Sequence, residues 1–102
     1  MDELLESAKR ASNFLKALAH ENRLVILCFL ADGEKNVGEL EALLGIRRPS
    51  LSQQLARLRA DKLVSTRRDS KQIYYSLASE EAKRMVELLY EMFCAANTDP
   101  GH

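Results

Sequence analysis

A mostly helical fold with a two-stranded β-wing is what this sequence predicts, and three observations carry the prediction. Apolar residues recur at alternating three- and four-residue steps near both ends of the chain, which is the spacing of one helix face. Two short helical patterns separated by Gly45 occupy the middle, the signature of a helix-turn-helix. After them the period shortens to two in LVSTRRDSKQIYYSL, positions 63–77, as a β-hairpin requires.

The elements follow in order. Over 2–18, Leu4, Ala8, Ala11, Leu15 and Leu18 make one apolar stripe, so a first helix is expected there. From Glu21 to Ala31 the chain is apolar on most sides, too rich in Leu, Val, Ile and Phe for a surface helix. A central buried helix ending at Gly33 is the expectation. NVGELEALLGI gives a short third helix with Leu40, Leu43 and Leu44 inward and Gly45 as its stop. RRPSLSQQLARLRADKL opens the fourth, with Pro49 in its first turn.

The hairpin comes next. In QIYYSL, Ile73, Tyr75 and Leu77 alternate with Tyr74 and Ser76, while RRDSK supplies a basic tip without glycine. A last helix is expected over 79–96, striped by Ala82, Met85, Leu89, Met92 and Ala96 and widened by Val86 and Phe93. Residues 1–97 thus read as a single domain of five helices and 98–102 as a flexible tail. A domain of 102 residues is too small to hide both terminal stripes within itself, so a homodimer through the terminal helices is expected. A stripe that faces its own core is the alternative.

The formal net charge of zero conceals a strong asymmetry. From Arg47 to Lys71, eight basic residues stand against Asp61 and Asp69, leaving +6 there and −6 on the remainder. A solvated basic surface is one reading, and a face for a polyanion is the other. The helix from Pro49 to Ala60 favours the second. Leu51, Leu55 and Leu58 share its inner face, so Ser50, Gln53 and Arg57 point away and Gln54 lies on the flank. Gln pairs with adenine edges, Arg with guanine, and Ser with either. Ser52 and Arg59 sit at the other edge, nearer phosphates. Double-stranded DNA is therefore the expected partner, with two reading helices of a dimer in successive major grooves of an inverted repeat. Arg47 and Arg48 before the reading helix, and Arg67, Arg68 and Lys71 at the wing, are the expected backbone contacts.

No apolar run is long enough to cross a membrane, and MDELLESAKR lacks the order of a secretion signal, so a cytoplasmic protein is expected. A reducing compartment would keep Cys28 and Cys94 as thiols. Without a Cys-x-x-Cys pair or a base beside them, they do not read as an oxidoreductase, and neither an enzyme nor a cofactor is called for. Taken alone, a cysteine in an aliphatic run such as RLVILCFLADG is a packing residue.

The stretches ALAHENRL, VGEL, PSLSQQLARLR, LVSTRRDSKQIYYSL and LLYEMFC, which run through nearly the whole domain, resemble the ArsR-type winged-helix repressors. The resemblance implies a dimeric, five-helix repressor that leaves its operator when an inducer binds or reacts. Many members sense metals, and the ligand sets speak against that here. No cysteine occupies the short third helix where the metal sensors carry a pair, and the histidines are His20, a cap or packing residue, and His102 in the tail. Glu80, Glu81, Glu87 and Glu91 read as a solvated helix face, so no metal is expected.

The contexts ILCFL and MFCA instead place Cys28 and Cys94 as in the sulfide-responsive subgroup, the SqrR and BigR type. That resemblance implies two cysteines cross-linked by persulfides and other reactive sulfur species, with release of DNA and derepression of sulfide-metabolism genes. A repressor of the same fold that answers a metal or another ligand, with packing cysteines, is the alternative. The apolar neighbours Phe29 and Phe93 would discourage thiolate formation.

Overall fold

The computed structural model describes residues 1–94. Five helices and a small three-stranded antiparallel sheet follow one another in the order α1 (Asp2–Leu18), α2 (Glu21–Ala31), β1 (Lys35–Asn36), α3 (Val37–Leu44), α4 (Arg48–Ala60), β2 (Val64–Asp69), β3 (Gln72–Leu77) and α5 (Glu80–Phe93). The expected class is borne out, with one addition. The two-stranded wing, β2 with β3, is joined by a third short strand, because Lys35 and Asn36 pair with Tyr75 and Tyr74 and set the sheet order β1-β3-β2. Two residues are too few to show any period, so the sequence carries no strand signal there.

The core lies where α2 meets the helix-turn-helix, the base of the wing and the start of α5. Ile26, Leu27, Leu30, Leu40, Leu51, Leu55, Leu58, Leu63, Val64, Ala82 and Val86 are buried in it. Leu43, expected inward, is instead 48% exposed. It follows Leu40 by three residues, which turns it off the line shared by Leu40 and Leu44, and the eight-residue α3 has nothing packed on that flank.

Local signals fix the ends of these helices. Asn36 caps α3 by accepting from the Glu39 amide at 2.8 Å, while Glu39 accepts from the Asn36 amide at 2.9 Å, a reciprocal capping box. Gly45 ends α3 in the left-handed region, at φ 68°. The end of α4 uses the same geometry without glycine. Lys62 takes φ 62°, and the Leu63 amide donates to the Leu58 carbonyl at 2.9 Å, a six-to-one closure that stacks two buried leucines. At the wing tip Ser70 takes φ 57°, so a polar residue fills the position the missing glycine would have held.

The terminal helices are built differently. In α1 every side chain from Asp2 to Asn13 is exposed, and Leu18 alone is buried. In α5, Ala82 and Val86 are buried whereas Leu88, Tyr90, Met92 and Phe93 lie open. Ala96, the end of the expected last helix and the tail at 98–102 fall outside the described residues. No described helix is long and apolar enough to cross a membrane.

Candidate nucleic-acid interface and thiol cleft

Helix α4 presents the reading face the spacing calls for. Leu51, Leu55 and Leu58 anchor it in the core, while Ser50, Ser52, Gln53 and Arg57 are exposed and Gln54 is half-buried on the flank. Pro49 lies in the first turn, and its missing amide costs nothing there. Ser52 and Arg59, together with Ala56, Ala60 and Tyr75, line a cleft of about 480 Å³ between α4 and the wing.

The backbone cations divide into two groups. Arg48 is used inside the molecule: its Nε and Nη2 donate to Glu41 Oε1 at 3.0 and 2.6 Å, so α4 is braced against α3. That carboxylate raises the Arg48 pKa, first through the hydrogen bonds and then through its charge. Arg67 is held in the same way by Glu34, with Nε donating to Oε2 at 3.1 Å and Nη2 to Oε1. The Arg67 hydrogen bonds hold Glu34 below the usual carboxylate range. The pair is thus complete at neutral pH and is lost only as the pH falls through that lowered value. Among the described residues, Arg47, Arg68 and Lys71 have no ion pair and remain open to a polyanion.

Strand alternation separates the two wing arginines. Val64, Tyr75 and Leu77 face the core, and Thr66 and Arg68 share that side of the sheet with them. Arg67 stands on the opposite side, over the ring of its cross-strand partner Tyr74. The expected cluster of Arg67, Arg68 and Lys71 is therefore split across two faces. Three functional neighbours escaped the sequence reading: Glu34, Glu41 and Arg23. Arg23 reaches from α2 to Asp61 at 3.9 Å, and Asp61 also takes Arg57 Nε at 3.6 Å. These pairs span up to 38 residues, and no local pattern marks them.

The thiols sit where α2 and α5 pack together. Cys28 is half-buried, Cys94 is exposed at the end of α5, and both are free. Cys28, Phe29, Ala31, Asp32, Val86, Glu87 and Tyr90 line a cleft of about 480 Å³. Burial pushes the Cys28 thiol pKa up, and the nearby Cys94 and Asp32 add to the rise by their charge. Residues separated by 66 positions are thereby close enough for the charge of one to act on the other, with Cys94 the more exposed of the two. Tyr90 lines the same cleft one turn before Cys94.

His20 stands at the start of α2 as expected, but its side chain makes no capping hydrogen bond. Among the described residues no group of three or more His, Cys, Asp or Glu is placed to hold a metal ion.

Known proteins share this fold. The family described as "Bacterial regulatory protein, arsR family" matches residues 20–66, from the start of α2 into β2. The biofilm growth-associated repressor of Agrobacterium fabrum is 56% identical over 90 residues, covering 85% of this chain and 77% of that protein. Reduced HlyU from Vibrio cholerae is 45% identical and superposes with a TM-score of 0.88, covering 92% of this chain and 99% of the other. The transcriptional repressor BigR from Xylella fastidiosa is also 45% identical, with a TM-score of 0.84 over 93% of this chain and 94% of the other. These relatives are transcriptional regulators, and the winged-helix fold is common ground. The chain belongs to the arsR family of bacterial, DNA-binding transcriptional regulators.

Proposed function

We propose that this regulator is a dithiol-based repressor of the SqrR and BigR type. Its dimer holds an inverted-repeat operator while Cys28 and Cys94 are reduced, and it leaves when reactive sulfur species bridge them. The supporting observation is the position of the thiols, close enough to influence each other across the α2–α5 contact, with Cys28 opening on a cleft there.

The unequal burial of the thiols supports an order for their reaction. The exposed Cys94 thiolate attacks the sulfane sulfur of a persulfide, RSSH, expelling RS⁻ and becoming Cys94–SSH. Attack by the Cys28 thiolate on the inner sulfur expels HS⁻ and closes a disulfide. When both cysteines are persulfidated, a third RSSH takes the two electrons and leaves as thiol and hydrogen sulfide, which closes a tetrasulfide. Each added sulfur lengthens the bridge by about 2 Å. A bridge ties the last helix to the central one. A coupling of typical size, 1–3 kcal/mol, weakens operator binding roughly 5- to 150-fold.

The exposed terminal faces support the dimer. A chain of 11.5 kDa leaves 7409 Å² accessible, against roughly 5,800 Å² for a compact monomer of that mass. The radius of gyration is 15.1 Å, where about 13 Å is usual for 100 residues. The open leucines of α1 and the open end of α5 are the faces such a dimer would cover. On DNA the dimer offers Ser50, Gln53, Gln54 and Arg57 to base edges in each half-site. Ser52, Arg47, Arg68 and Lys71 flank them on the backbone.

The test is the intact mass of the anaerobically reduced protein after excess glutathione persulfide, with operator binding followed on the same sample. A gain of two sulfurs with loss of two hydrogens, release of DNA, and loss of both effects in Cys28→Ser and Cys94→Ser is the expected result. Protein that stays unmodified and bound would return the thiols to packing and point to another inducer.

A further inference from the structure

The basic wing contains one arginine whose surroundings are wrong for a phosphate. Arg67 offers two edges and a face, and all three are occupied. One edge donates to both carboxylate oxygens of Glu34, Nη1 lies 3.7 Å from Asp69 Oδ2, and the guanidinium carbon sits 4.8 Å from the Tyr74 ring centroid. Glu34, Arg67 and Asp69 together carry a net negative charge, so a phosphate approaching this side meets repulsion. Arg68, one residue on, has no carboxylate among the described residues and lies on the side of the sheet that faces α4.

The location of the contact matters as much as its charge. Glu34 follows Gly33, whose φ of 143° turns the chain out of α2, and it immediately precedes β1. In the sheet order β1-β3-β2, a residue beside β1 can grip β2 only by reaching across β3, and Tyr74 on β3 is the residue crossed. β1 holds the wing through only two residue pairs, Lys35 with Tyr75 and Asn36 with Tyr74. The ion pair is therefore a clasp over all three strands, fastening the wing to the corner where the central helix ends.

We propose that Arg67 is a positioning residue rather than a phosphate ligand. Glu34, Arg67 and Tyr74 clamp the wing at the angle from which Arg68 and Lys71 reach the DNA backbone. A bidentate guanidinium–carboxylate pair suits this role because it fixes orientation as well as distance.

The experiment measures operator affinity against salt concentration for the full-length reduced protein and for Arg68→Gln, Arg67→Gln, Glu34→Gln and the Glu34→Gln/Arg67→Gln double variant. Each phosphate contact removed lowers the slope of log K against log salt by about 0.9, so Arg68→Gln gives a shallower slope. Arg67→Gln and Glu34→Gln each weaken binding, roughly two- to fivefold, as loss of an exposed ion pair does, and leave the slope unchanged. The double variant is no weaker than either single one, because all three lack the same clasp. Thermal melting of every variant ensures that folded proteins are compared. A shallower slope for Arg67→Gln, or tighter binding with a steeper slope once Glu34→Gln frees the arginine, would overturn the proposal. So would unchanged affinity in both single variants. All readouts use reduced protein, so they stand or fall independently of the thiol chemistry.

Discussion

Helices α4 and α1 carry the same kind of apolar stripe and meet opposite fates. In α4, Leu51, Leu55 and Leu58 are at most 1% exposed, locked against α2 and α3. In α1, Leu4, Leu5 and Leu15 are 66%, 55% and 50% exposed. A stripe at helical spacing states that a face must be covered but not by what. The fourth helix is covered within its own chain because short turns at Gly45 and Lys62 hold it in the core. The first lies mostly outside the core, and only its C-terminal end is anchored, through buried Leu18 with Phe14 and Ala17 partly packed beside it. The reading helix is covered by its own chain, and the terminal helices leave apolar side chains open.

The largest way to test this contrast is to cut into the covered helix. Leu55→Ala removes a fully buried side chain beneath the reading face, and a loss of about 2–5 kcal/mol is expected in urea unfolding. An effect as small as that of an exposed leucine would mean that α4 is not the anchored helix described. A smaller but more selective effect is expected in the open terminal helix. Leu15→Glu should leave the fold of one chain intact, shift the protein to monomer in sedimentation, and weaken operator binding on the order of 100-fold by separating the two half-sites. A dimer that persists with full affinity would place the interface elsewhere.

The smallest effect distinguishes the two thiols, one half-buried and one exposed. In Cys94→Ser, the rate of Cys28 alkylation by iodoacetamide should rise with pH to a midpoint above the ordinary thiol value of about 8.5. It should fall back to that value when the chain is unfolded. Because the folded pKa is raised, the contribution of the Cys28 thiol to stability is whole below the unfolded value and is lost as pH climbs through the folded one. A midpoint at or below the ordinary value would mean that burial by α2 and α5 is not what governs this sulfur.

Much of this molecule was legible in one dimension. All five helices, the hairpin and the faces of α4 follow from spacing, because a helix repeats every 3.6 residues and a strand every two, whatever surrounds them. What escaped was non-local. The strand β1 is too short to have a period, and Leu43 lies on a flank that only the neighbours of α3 could have covered. Arg48 and Arg67 read as two more cations in a basic run until Glu41 and Glu34 stand beside them.

The sequence by itself determined that this is a winged helix-turn-helix with an outward basic reading face and two cysteines in apolar stretches of the chain. Local propensity, turn chemistry and charge count are properties of neighbours along the chain, and they survive without a fold. Only the tertiary structure decided that Cys94 comes near enough to act on Cys28 by its charge, and that Arg67 grips a carboxylate 33 residues away instead of standing free beside Arg68. Those outcomes depend on how α2 packs on α5 and how β1 closes the sheet. Packing between distant segments is set by the whole core at once, and no short window of sequence contains it.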